Sequence, residues 1–194
     1  MNLSNKLFFQ FKNDRCEFRS ITPDDVTSEY VNGLIDQQEY LLNRQTTIES
    51  QKEYIKNIND SDNDAIFGLF VNSELIGTSG VQGLRIDSSG IVSIGIFIFK
   101  PEMRGKGYGK ILVWASCYLT NKPQYYERKF FAGVKKDNVA SWKAFMACGF
   151  ISDPNCIFGA RPKDGDYFLT TSKPRLPDLS ILDSLFNVGF EDTF

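Results

Sequence analysis

Arg104-Gly105-Lys106-Gly107-Tyr108-Gly109-Lys110 is the stretch whose reading decides the fold. Three glycines at alternate positions remove Cβ atoms where a backbone must come close to a ligand. The run before it, residues 91–99, is β-branched and aromatic and apolar almost throughout, as a strand buried on both faces reads. Gly95 within that run marks a bulge or a close approach. After the loop, Tyr108, Ile111, Leu112, Ala115 and Leu119 follow helical spacing. A helix starting there points unpaired N–H groups and its positive dipole end at whatever lies in front. Strand, glycine loop and helix together make a phosphate cradle.

Working outward, residues 16–21 read as a strand carrying Phe18. Thr22-Pro23-Asp24-Asp25 reads as a helix start, with Val26, Tyr30, Val31 and Leu34 as its apolar stripe. Residues 36–46 read as a loop or broken helix. Thr47, Glu49 and Ser50 open a second helix through Ile58. Strands are expected over 65–71 and 75–81, joined by Asn72-Ser73-Glu74. Beyond the central unit come a strand over 130–134, a helix over 138–148 stopped by Gly149, and strands over 150–158 and 167–171. This order predicts a mixed α/β (α+β) sheet with helices on both faces. The expected organisation is an extension (1–15), one domain (16–172) and a tail (173–194) that begins Pro-rich and ends amphipathic.

Composition narrows the chemistry. The 194 residues suffice for one core, and 42% apolar with 24% charged residues is ordinary for a globular protein. A formal charge of −2 speaks against a general nucleic-acid binder. Cys16, Cys117, Cys148 and Cys156 are far apart, which gives neither zinc spacing nor a disulfide framework; reduced thiols in a cytoplasmic protein are expected. No apolar run reaches the length of a membrane span, so no membrane association is expected. Residues 1–11 lack the apolar core of a signal peptide. The chain has no histidine, which excludes Ser-His-Asp triads, Cys-His pairs and His-based metal sites. No metal is expected.

Three phosphate-binding patterns compete for the loop. A P-loop needs G-x-x-x-x-G-K-[ST], but Ile111 follows Lys110. A dinucleotide fingerprint needs G-x-G-x-x-G, but the spacing here is G-x-G-x-G. The third pattern is [RQ]-x-x-G-x-[GA], met by residues 104–109. With Ile94-Gly95-Ile96-Phe97-Ile98-Phe99-Lys100-Pro101-Glu102 before it, and Asp137-Asn138-Val139-Ala140-Ser141, Phe145 and Gly149-Phe150 after it, the chain resembles the Gcn5-related N-acetyltransferases (GNAT), on their RimJ/RimL-like branch. The resemblance covers roughly residues 16–172. It implies a mostly antiparallel sheet of about seven strands, splayed at the fourth and fifth.

The resemblance also implies a co-substrate and its site. That family takes acetyl-CoA or another acyl-CoA and passes the acyl group to an amine-bearing acceptor in a ternary complex. Backbone N–H groups of Gly105, Lys106, Gly107, Tyr108, Gly109 and Lys110 would hold the pyrophosphate, with Arg104 and Lys106 adding charge. The backbone of Phe97, Ile98 and Phe99 would pair with the pantetheine arm like an added strand, and one N–H there would polarise the thioester carbonyl. Asn138 would anchor the pantetheine side. Many members place a tyrosine seven residues after this asparagine to protonate the thiolate; this chain has Phe145. RimJ/RimL-type members use the serine of N-x-x-S, which puts Ser141 forward as the catalytic residue. Its alternative is a helix serine bonded to a local carbonyl. Ser93 stands where many relatives carry a glutamate base, and a water relay is the remaining base.

The acceptor is read from the N-terminal half. Residues 25–36 and 44–50 resemble RimL-like members, some of which act on amino-sugar nucleotides and others on protein N-termini or small amines. Tyr40, Arg44, Gln82 and Arg85 are candidates for the acceptor wall. A second class stays open: a degenerate module that binds CoA without turnover. In that case residues 179–190 serve an interaction role; the alternative is a packing or homodimer-forming tail.

Overall fold

The computed structural model describes residues 6–40, 47–84, 90–120, 128–156, 166–171 and 174. The chain runs β1 (Leu7–Phe11), β2 (Asp14–Ser20), α1 (Ser28–Asp36), α2 (Ile48–Asn59), β3 (Asp64–Val71), β4 (Glu74–Gln82), β5 (Ile91–Ile98), α3 (Tyr108–Thr120), β6 (Lys129–Lys135), α4 (Val139–Ala147), β7 (Ile151–Ser152) and β8 (Asp166–Thr171). The described strands form one eight-stranded sheet in the order β1-β2-β3-β4-β5-β6-β8-β7. Every pairing is antiparallel except β5 with β6. This is the mixed sheet expected, with one strand more than foreseen.

The added strand is β1. Leu7, Phe9 and Phe11 are buried while Phe8 and Gln10 face out, the period of two that a strand edge requires. Lys12 and Asn13, at φ 54° and 75°, turn the chain into β2. Because β1 stands ahead of the first foreseen strand, the splayed pair is β5 and β6 by the present numbering.

Two further boundaries differ from expectation. The Thr22-Pro23 start yields only one 3-10 turn, Pro23–Asp25. Val26 then turns extended and buried, and Thr27 caps α1, its hydroxyl accepting the Tyr30 N–H at 3.2 Å. In the expected strand over 150–158, Ile151–Ser152 is extended and a turn follows at Pro154 and Asn155; residues 157 and 158 lie outside the described residues. The second helix starts as read: Thr47 Oγ1 accepts the Ser50 N–H at 3.1 Å, and Ser50 Oγ accepts the Thr47 N–H at 3.2 Å.

The sheet is packed on both faces. On one, Phe18, Phe67, Ile94, Val81 and Leu169 meet Ile111, Leu112 and Ala115 of α3 and Phe145 of α4. On the other, Ile66, Phe70, Phe97 and Phe99 meet Tyr30 and Val31 of α1 and Ile55 of α2. Alternation along β5 thus sends Ile94, Ile96 and Ile98 toward α3, and Phe97 with Gly95 toward the α1 and α2 side.

Candidate functional site

The glycine loop links the end of β5 to α3. Gly105 has φ +72° and Gly107 φ +101°, values that a residue with a Cβ rarely adopts. At Gly107 a Cβ would also stand 3.0 Å from the Phe11 ring. Gly107 O is the first acceptor of α3, receiving the N–H of Lys110 at 3.0 Å and of Ile111 at 3.4 Å. The N–H groups of Tyr108 and Gly109 precede it, at the positive end of the helix. Lys106 and Lys110 are exposed beside them. The Tyr108 side chain belongs to the core: its ring meets Phe11 edge-on at 5.1 Å and its hydroxyl donates to Asp14 Oδ2 at 2.5 Å. Only its backbone faces the cradle.

Arg104, expected beside the phosphate, is engaged by the chain itself. Its Nε donates to Ile98 O at 3.0 Å and its Nη2 to Phe99 O at 3.2 Å. Gln37, with its amide oxygen toward the guanidinium, accepts the two Nη groups at 2.9 and 3.1 Å. Arg104 therefore ties the loop to the last turn of the strand and to the end of α1.

β5 pairs with β6 only through Ile91, Val92 and Ser93, opposite Lys129, Phe130 and Phe131. Beyond Ser93 the strands separate, while β6 continues along β8 through Lys135. The β6-facing edge of β5 from Ile94 onward is thus open among the described residues, and it leads straight to the glycine loop. Phe99 does not extend this edge: its N–H donates to Ile76 O at 3.2 Å, and its carbonyl accepts from Arg104. Ile98 O is taken as well, by Arg104 Nε at 3.0 Å, so the free stretch ends at the Ile98 N–H. An extended arm adding to this edge, with a phosphate at its end, fits the vacant ladder and the cradle together.

Asn138 caps α4 across the opening, Oδ1 accepting the Ser141 N–H at 3.1 Å. Ser141 is half-buried, and its Oγ has no hydrogen-bond partner among the described residues. The alternative of a serine spent on a local carbonyl is therefore not what the structure has. Phe145 is 1% exposed, its ring against Phe150 at 5.0 Å. It fills the core and offers no proton.

The α1 and α2 face of the sheet carries a bare floor beside the opening. Gly80 of β4 pairs directly with Gly95 of β5, and a Cβ on either would meet nothing within 4 Å. Neither has a positive φ, and the β4–β5 register runs through them without a bulge. Backbone geometry and packing both leave room for a side chain there. Gln82 and Ser93 form the next pair, and Thr78 and Phe97 the one before. Gly95 stood out in the sequence as a bulge or close-approach signal, and the register shows no bulge there; its partner Gly80 did not stand out, because register is not written in composition. Gln37 through Tyr40 crosses the mouth of the gap. Gln37 holds Arg104 on the β5 side; Glu39 O accepts from Lys135 Nζ on the β6 side, and that ammonium lies 5.7 Å from the Tyr40 ring centre. Arg44 and Arg85 lie outside the described residues.

No thiol is available as a nucleophile. Burial, with Asp14 nearby, pushes Cys16 up to about 12. Burial likewise pushes Cys148 up to about 12 and Cys117 well above its usual value. Cys156 is 5% exposed. Lys100, 5% exposed, is held by Glu29 at 3.2 Å and by Glu74. Among the described residues no three His, Cys, Asp or Glu side chains gather to hold a metal, and no helix is long and apolar enough to cross a membrane.

Comparison with known proteins bears directly on this arrangement. Residues 15–151 match the family model described as an acetyltransferase (GNAT) domain. Among solved structures, RimJ of Mycobacterium smegmatis in complex with CoA-disulfide aligns with a TM-score of 0.68 at 11% identity, covering 87% of this chain and 87% of that one. Ribosomal-protein-S5-alanine acetyltransferase from Vibrio fischeri gives 0.65 at 16% identity, covering 88% and 97%. A variant of spermidine N-acetyltransferase SpeG from Vibrio cholerae gives 0.61 at 16% identity, covering 80% and 92%. At these identities the likeness is one of fold. No curated protein sequence gives a significant match.

Proposed function

This chain belongs to the GNAT acetyltransferase family, and from that membership we propose that it moves an acetyl group from acetyl-CoA to a primary amine by direct attack in a ternary complex. The observation that carries the reading is the open β5 edge running from Ile94 into a loop whose Gly105 and Gly107 have left-handed backbones. Acetyl-CoA supplies an activated thioester carbonyl. The loop N–H groups from Gly105 to Lys110 take its pyrophosphate, helped by the exposed ammonium of Lys106. The edge at Phe97 and Ile98 takes its pantetheine arm, and Asn138 lines the far side. Ser141, half-buried in the first turn of α4, donates a proton to the departing thiolate and regains one from water. The acceptor nitrogen comes from the α1 and α2 side over Gly80 and Gly95, forms the new C–N bond as the C–S bond breaks, and gives its proton to a water connected to solvent.

Direct attack is favoured over a covalent acyl-enzyme by two facts. The chain has no histidine to activate a nucleophile, and its four thiols are buried. The acceptor is the finer part of the proposal. The resemblance of residues 25–36 and 44–50 to RimL-like members supports an amino-sugar nucleotide. The similar folds named above include a protein-alanine and a spermidine acetyltransferase, so a protein N-terminus or a small amine is the alternative. Reduced thiols support a cytoplasmic setting. Phe145 in the core and Ser93 in β5 favour one second reading, a CoA-binding module without turnover.

Two-substrate initial rates separate the mechanisms. Direct attack gives intersecting double-reciprocal lines and no acetylated protein by intact mass. Parallel lines with a trapped acetyl-protein overturn it.

A further inference from the structure

The β1–β2 hairpin reaches the glycine loop at three successive residues. Lys12 Nζ donates to Lys106 O at 2.8 Å. The Phe11 ring closes over Gly107, its Cζ 3.0 Å from where a Cβ would lie. Asp14 Oδ2 accepts the Tyr108 hydroxyl at 2.5 Å. Asp14 is itself fixed, since Oδ1 accepts from Asn72 Nδ2 at 2.9 Å while Asn72 Oδ1 accepts the Arg15 N–H at 3.1 Å. The turn at Lys12 and Asn13, both with positive φ, is what brings the Lys12 ammonium over the loop.

The geometry points to Lys12 as a positioning residue for the donor's phosphate, acting through the peptide between Lys106 and Gly107; this rests on the acyl-CoA reading of the loop. In a trans peptide the C=O and the following N–H point in opposite directions. Holding Lys106 O against the hairpin therefore turns the Gly107 N–H away from it, toward the front of the cradle. Glycine on either side of Lys106 leaves that peptide plane free to rotate without such a hold. The ammonium also polarises the peptide, which strengthens the N–H it presents. Lys12 and Phe11 lie outside the residues 15–151 that match the family model.

The test measures CoA affinity by calorimetry and acetyl-CoA kinetics on the full chain. Lys12→Met is expected to raise the Kd for CoA and the KM for acetyl-CoA about three- to tenfold, with kcat unchanged. Lys12→Arg, which keeps a cationic donor, is expected to restore most of the affinity. Lys6→Met removes the same charge from the same hairpin, but Lys6 faces Glu17 at 3.8 Å; it is expected to leave both constants alone. Lys12→Met binding as tightly as the wild type overturns the inference, as does an equal loss from Lys6→Met, which would reduce the effect to net charge. A wild-type chain that binds no CoA overturns the acyl-CoA reading itself, and the inference with it.

Discussion

The Phe11 ring and Gly107 are fitted to each other, the ring Cζ 3.0 Å from the point a Cβ would occupy on a residue with φ +101°. An edge strand far away in sequence thereby limits what the phosphate loop can be. Gly107→Ala meets both a disfavoured backbone and a crowded ring. It should cost about 1–2 kcal/mol of stability and raise the Kd for CoA about tenfold or more as the loop shifts. Thermal unfolding and calorimetry check both. Phe11→Ala in the Gly107→Ala background should recover part of the stability, since it removes one of the two conflicts.

Ser141→Ala separates turnover from binding. The cap on α4 uses the Ser141 backbone N–H, so alanine keeps it. The melting temperature should stay within about 2 °C and the KM for acetyl-CoA within about twofold, while kcat falls about ten- to a hundredfold. An unchanged kcat removes Ser141 from the chemistry.

Gly80 and Gly95 pair with each other under open space. A β-branched residue suits an extended strand, so Gly95→Val should leave stability equal or raised. It should nonetheless raise the acceptor KM about tenfold, with the KM for acetyl-CoA moved less than about twofold. Steady-state kinetics with each substrate varied in turn give the result. A larger effect on the donor would place the acyl arm, rather than the acceptor, over this floor.

Arg19 and Asp25 tie β2 to the turn before α1. The guanidinium donates twice to the carboxylate, at 2.8 and 2.7 Å, and lies 3.9 Å from the Phe70 ring centre. Burial works against the Asp25 charge, but Arg19 and the Thr22 N–H outweigh it and hold the carboxyl below its ordinary value. A depressed carboxyl contributes stability above the unfolded value and loses it as pH falls through the folded one. Asp25→Asn should therefore cost about 1–2 kcal/mol at neutral pH, and the difference from wild type should shrink below the ordinary carboxylate range. Urea unfolding across that range measures it.

The central unit was legible because its signals are local. Residues 91–99 are apolar at all but Ser93 and Gly95, the helix after the loop keeps its period from Tyr108 to Leu119, and Gly149 stops the helix that begins at Asn138. Thr47 and Ser50 announced α2 for the same reason. What the sequence concealed depends on contacts across the sheet. Leu7, Phe9 and Phe11 alternate as a strand should, but five residues ahead of a Lys-Asn turn carry too little signal until β2 and α3 are there to bury them. The contacts of Arg104 were hidden by chemistry: a cation beside a phosphate loop reads as a phosphate ligand, while its bonds to the carbonyls of Ile98 and Phe99 at 3.0 and 3.2 Å depend on how the loop folds back on β5. The Gly80–Gly95 floor needed the register of β4 on β5. Thr22-Pro23 is a sound helix start whose helix was cut short when Val26 turned inward.

The most direct measurement of the central claim is product identification by mass after incubation with acetyl-CoA and, separately, an amino-sugar nucleotide, an N-terminal alanine peptide and a polyamine. One class of amine is expected to gain a single acetyl group, with one free CoA released per product. CoA that binds while no amine gains an acetyl group would contradict it and leave the chain as a CoA-binding module.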